Sequence, residues 1–243
     1  MEPVSSYIQT AIDRLSPGAI IRHADFDLPP EHQMALAKTL SRMSKKGIIE
    51  RLEKGIYYKP KKTAFGSVRP SEREILSSII EAKQGYITDT AAANTLGVTT
   101  QLPREIVIAS KSYRPPRKIG GLTIRFRRAM IQPVGVGSNP PTIILQILDS
   151  LRIIKRIPDA SVDNIISVII KQITSLPQSQ KKELISCALK YNPSVRAIIG
   201  AIFSRNFKSI AVGSLARSLN PLSVYKIGIS SKLLPNKKDW YIQ

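Results

Sequence analysis

Residues 36–60, LAKTLSRMSKKGIIERLEKGIYYKP, hold seven Lys or Arg against two Glu, and Lys61 and Lys62 just beyond bring the basic count to nine. At 100° per residue, Leu36, Leu40 and Met43 fall on one side of a helix running from Glu31 to Lys46. Lys38, Arg42, Lys45 and Lys46 fall on the other. Gly47 stands where a left-handed C-terminal cap is wanted. IIERL and IYYKP follow as short β-prone runs joined by Glu53-Lys54-Gly55, the pattern of a hairpin.

What precedes this stretch completes a known order of elements. Residues 4–15 carry Tyr7, Ile8, Ile12 and Leu15 at helical spacing and stop at Ser16-Pro17-Gly18. AIIR reads as a strand and HADF as one helical turn. Pro29-Pro30 permits a helix after it and not before. Helix, strand, helical turn, basic helix and basic hairpin is the order of a winged helix-turn-helix. Such a helix docks on its own domain by its apolar stripe and on a major groove by its basic one. Arg51, Lys54 and Lys59 then lie within reach of adjacent phosphates. Of Tyr57 and Tyr58, one ring is expected to turn inward rather than stack on bases.

The rest of the chain bounds the partner. The formal net charge is +20 over 243 residues, of which 42% are hydrophobic, so a packed core with a polyanionic partner is the expectation. MEPVSSYIQT lacks the pattern of a signal peptide, and no apolar run reaches the roughly 18 residues of a membrane span, so no membrane partner is expected. The single cysteine, Cys187, fits a reducing compartment, the cytoplasm. It is read as a buried structural thiol.

A second basic cluster holds Arg104, Lys111, Arg114, Arg117, Lys118, Arg125, Arg127 and Arg128 against Glu105. Alternation in LTIRFRR places part of it on one sheet face. The fold class expected is α+β. A winged-helix domain over 1–66 is followed, after a linker candidate PKKTAFGSVRP, by a region 71–243. That region divides into mixed α/β (71–130), helical (139–204) and a basic tail (205–243) that wraps the body or moves. Ser71 and Glu74 form a capping box. QPVGVGSNPP marks a break, and its GVGSN lacks the context of a phosphate loop.

Catalytic chemistry is not expected. His23 and His32 have only Asp25, Asp27 and Glu31 nearby, too few for a metal site. Asp159 and Asp163 read as helix caps rather than a carboxylate pair. No cofactor is implied.

Several segments together resemble the AbiEi-type antitoxin family, partners of abortive-infection nucleotidyltransferase toxins. They are the 36–60 stretch, FGSVRPSEREIL, GYITDTAAANTLGVTTQLPREIVIAS, KIGGLTIRFRR, RIPDAS and NPLSVYKIGI, spanning about 1–230. The resemblance implies repression of the protein's own operon through inverted repeats in double-stranded operator DNA, a site that admits a dimer. It implies a second domain that counteracts a cognate nucleotidyltransferase toxin, directly or functionally. Lys38, Arg42, Lys45, Lys46, Arg51 and Lys54 carry over as DNA-facing, and Gly55 and Tyr57 as structural. Two readings stand beside it: a stand-alone winged-helix regulator, and an RNA-binding accessory protein that uses the later basic clusters.

Overall fold

The computed structural model describes residues 3–64, 66–83, 85–111, 113–131 and 140–243. Most of the break at QPVGVGSNPP, with its GVGSN, lies outside them. The protein is α+β and forms two compact units, residues 1–81 with 117–123, and residues 82–116 with 124–243.

In the first unit, α1 (Val4–Asp13) leads to β1 (Ile20–Arg22), a 3-10 turn over His23–Asp25, and α2 (Gln33–Lys45). The hairpin of β2 (Glu50–Glu53) and β3 (Ile56–Tyr58) follows. The three strands form an antiparallel sheet in the order β1–β3–β2, with a bulge between Arg51 and Glu53. The hydrophobic stripe of α2 explains its docking. Leu36, Leu40 and Met43 are buried with Ile8 and Ile12 of α1, Ile21, Ile49 and Tyr57, each large side chain contributing about 1.5–3 kcal/mol. Gly47 and Gly55 have φ +68° and +80°, the left-handed geometry that ends α2 and turns the hairpin.

The stretch 60–70 is not a linker. β4 (Lys61–Thr63) pairs antiparallel with β5 (Gly66–Val68). Both strands are exposed along their length, so no hydrophobic alternation announces them. Ser67 Oγ donates to Glu50 Oε1 at 2.5 Å, and the Tyr58 hydroxyl donates to the same carboxylate. These bonds tie the second hairpin to the first and hold the Glu50 carboxyl below its ordinary pKa. The boundary expected at 66–71 therefore shifts. α3 (Glu72–Lys83) opens with the expected box, Glu74 Oε2 accepting from Ser71 N at 2.6 Å, and most of it groups with the first unit, as does 117–123.

The second unit begins with β6 (Tyr86–Thr88), α4 (Asp89–Thr95) and β7 (Ile106–Ser110). β7 is antiparallel to β6 and parallel to β9 (Leu122–Arg128) in a sheet ordered β6–β7–β9–β8, whose β8 (Arg117–Ile119) is counted with the first unit. β8 lies within YRPPRKIGG, directly after Pro115-Pro116, and the second unit resumes at Ile124. Its helices are α5 (Thr142–Arg152), α6 (Val162–Thr174), α7 (Gln178–Ala188), α8 (Pro193–Asn206) and the short α9 (Gly213–Arg217). α5 is buried nearly all round, from Ile144 to Leu151, as befits a central helix.

The tail is part of this core. Ile227, Ile229, Leu234, Trp240 and Ile242 are buried, and Tyr225 bridges to Ile242. Trp240 lies on α8 at Gly200, where a Cβ would fall 2.0 Å from the ring, and its Nε1 donates to Ser204 Oγ at 3.1 Å. Cys187 is buried, and burial pushes its thiol up to about 11.

A cationic helix face and a buried ion cluster

The exposed side of α2 is cationic. Lys38, Arg42, Lys45 and Lys46 are all exposed, at i, i+4, i+7 and i+8, opposite the buried Leu36, Leu40 and Met43. Residues 33–46 contain no acidic side chain. Arg51 on β2 and Lys54 in the turn are also exposed. Among the described residues none of these six cations forms an ion pair; Arg51 Nε donates only to the Glu53 carbonyl, at 3.3 Å. The adjoining β4–β5 hairpin adds exposed Lys61, Lys62 and, just after it, Arg69.

One expectation for this surface is corrected. Lys59 is turned into its own unit. Its Nζ donates to the carbonyls of Ile12 (3.1 Å), Asp13 (2.8 Å) and Leu15 (2.8 Å), at and just beyond the C-terminal end of α1. All three protons are used, so Lys59 is a helix cap and not a phosphate ligand. Tyr57 and Tyr58 are both buried, so neither ring is free to stack on a base.

The second basic cluster is divided between the two units. Arg117 and Lys118 group with the first unit, whereas Arg104, Arg114, Arg125, Arg127 and Arg128 group with the second. Arg125 pairs with Glu105 at 2.8 Å. Arg127 is drawn inward and is not available to an external partner.

Arg127 belongs to a cluster built around Asp149, whose side chain is fully buried. Asp149 Oδ2 accepts from Thr88 Oγ1 (2.6 Å), the Tyr86 hydroxyl (2.9 Å) and Arg127 Nη2 (2.5 Å). Its Oδ1 accepts from the Tyr191 hydroxyl (3.2 Å) and faces Arg152 Nε at 3.4 Å. Arg152 Nη2 reaches Asp89 Oδ1 at 2.6 Å, and Arg127 Nε lies 3.7 Å from the same oxygen. Two carboxylates thus face two guanidiniums, so the formal charges cancel where solvent cannot screen them. Burial, reinforced by the Asp149 charge, raises the pKa of both Tyr86 and Tyr191, so both hydroxyls remain donors. For Arg127 burial opposes the charge, but Asp149 outweighs it and the pKa is raised.

Sequence reasoning missed this cluster. Its one signal is a lone acid in the apolar run ILQILDSL of α5. Neither Asp159 nor Asp163, expected as helix caps, caps α6, although Asp163 stands in its first turn. Asp159 accepts from Thr99 Oγ1 (2.6 Å) and from Thr100 N (2.9 Å), and Asp163 from Ser230 N (2.9 Å), while Ser161 caps α6.

On the outer side of the cluster Asp89 borders a cavity of about 510 Å³ with Arg104, Arg125 and Arg156 on its wall. Among the described residues no group of three His, Cys, Asp or Glu could hold a metal ion, and no helix is long and apolar enough to cross a membrane.

These features define an α+β protein of two units, one with an exposed cationic helix face and one organised around a buried ion cluster. The chain belongs to the family of unknown function DUF6088, which matches residues 7–185. No curated protein matches it. Among solved structures it resembles the RV2827C protein of Mycobacterium tuberculosis, with a TM-score of 0.50 over 99% of this chain and 91% of that one. The identity is 9%, so the likeness is one of fold.

Proposed function

We propose that the first unit is a winged helix that binds double-stranded operator DNA, with α2 in the major groove and the β2–β3 hairpin along the flanking backbone. The observation that carries this reading is the α2 face, four exposed cations free of acidic neighbours on a helix whose opposite face is anchored in a core. A solvated helix surface normally intersperses both signs of charge, whereas a stripe of one sign follows a polyanion. The wider role we propose is that of an antitoxin. The protein represses its own operon and counteracts a nucleotidyltransferase toxin, a role supported by the sequence resemblance described above.

The test is the salt dependence of binding. If four of the six free cations meet phosphates, log K against log salt falls with a slope of about −3.6 per bound copy. Replacing Arg42 and Lys45 with Ala is expected to flatten it by up to about 2. An unchanged slope removes α2 from the interface. The antitoxin role is tested by co-expression with the adjacent gene, where protection of growth is the expected result and undiminished toxicity the opposing one.

A further inference from the structure

We infer that the cavity beside Asp89 in the second unit binds a free nucleoside phosphate. This site is independent of the DNA-binding face, since every residue of its wall belongs to the second unit. Three arginines line it from three places in the chain: Arg104 from the loop before β7, Arg125 from β9, and Arg156 from the 3-10 turn over Ile154–Arg156 that follows α5. Arg104 and Arg156 are exposed and, among the described residues, form no ion pair. The Arg125–Glu105 pair is about half-exposed on both sides, so it contributes little stability and exchanges readily for a phosphate.

The wall is held in place before any ligand arrives. The loop bearing Gln101, Leu102 and Arg104 is pinned by Asp159 at Thr99 and Thr100, and by Asn94 Nδ2, which donates to the carbonyls of Thr99 and Gln101 at 3.2 Å each. Asp89 is fixed from behind by Arg152. It is also one of two non-glycine residues among those described with positive φ, at +56°. Such left-handed strain in a non-glycine residue gathers at ligand sites.

Size and lining choose the ligand. A volume of about 510 Å³ greatly exceeds an inorganic phosphate and falls in the range of small-molecule sites. Arginines suit phosphate oxygens. Leu102, 86% exposed, and Ile153 offer apolar surface to a base, the Gln101 amide offers a donor and an acceptor, and the Asp89 carboxylate accepts from ribose hydroxyls.

The test is calorimetric titration of the full chain with ATP, GTP, CTP, UTP and inorganic triphosphate at about 0.15 M salt, where diffuse attraction is screened beyond roughly 8 Å. At least one nucleotide is expected to saturate at one per chain, more tightly than inorganic triphosphate. Arg104→Ala with Arg156→Ala is expected to weaken it at least about tenfold. Lys208→Ala with Lys232→Ala, which removes the same charge from exposed positions off the cavity wall, is expected to leave it unchanged. Absence of heat with every nucleotide overturns the proposal. So does equal affinity for inorganic triphosphate, equal loss in the two double variants, or saturation by an oligoribonucleotide alone. Thermal melting of each variant confirms that the exposed substitutions leave the fold intact.

Discussion

Asp149 shows what a single side chain can impose. A carboxylate with no solvent access is tolerated only when every lone pair is met, and two guanidiniums and three hydroxyls meet it. Asp149→Ala leaves Arg127 and Arg152 facing each other's charge across a cavity with only Asp89 to neutralise them. The expected cost is about 3–5 kcal/mol, read from urea unfolding of the full chain. A loss below about 1 kcal/mol means that the pair of guanidiniums finds water and that the cluster is not a structural keystone. The cluster was hidden from sequence for a physical reason. It joins residues 86, 88, 89, 127, 149, 152 and 191 from β6, α4, β9, α5 and the segment after α7, and periodicity reports only on neighbours along one element.

Elements whose order is local were legible, and those ordered by their surroundings were not. α1, α2 and the β2–β3 hairpin follow from apolar spacing, Pro29-Pro30, Gly47 and Gly55, and the structure places them within two or three residues of where the sequence does. The β4–β5 hairpin has no buried face, and β8 stands directly after Pro115-Pro116, so neither carries the alternation by which strands are found. The four exposed cations of α2 were readable because a helix face is a local property. The role of Lys59 was not, because its partners lie more than 40 residues earlier. As a cap it supports α1 rather than any ligand. Lys59→Met, which keeps most of the stem but none of the donors, is expected to lower stability by about 1–2 kcal/mol and to leave the salt slope of DNA binding unchanged. A flattened slope with intact stability returns Lys59 to the interface.

At the scale of the whole molecule, the division into two units bears on how the proposed repression and the proposed protection are to be tested apart. A truncation to 71–243 would be the natural dissection if the boundary fell in a linker. It does not, since residues 72–81 of α3 and the 117–123 segment both group with the first unit. Gly120 makes the dependence concrete: its position lies so close to Ile75 of α3 that a Cβ there would fall 2.5 Å from the Ile75 Cδ1. Cutting before α3 strips both segments of the sheet and helices they pack among, and a loss of protection in that fragment would report misfolding as readily as mechanism. Point substitution avoids this, because Lys38, Arg42 and Lys45 are exposed and make no ion pair among the described residues. Replacing all three with Ala in the full chain removes three charges from a total of +20 and is expected to leave stability within about 0.5 kcal/mol. Operator affinity is expected to fall by two orders of magnitude or more, at roughly 1 kcal/mol for each lost phosphate contact. If protection resides in the second unit, growth rescue in a strain carrying the toxin on a separate promoter persists unchanged. Rescue lost together with DNA binding, at unchanged stability, means that the same cationic face serves both tasks.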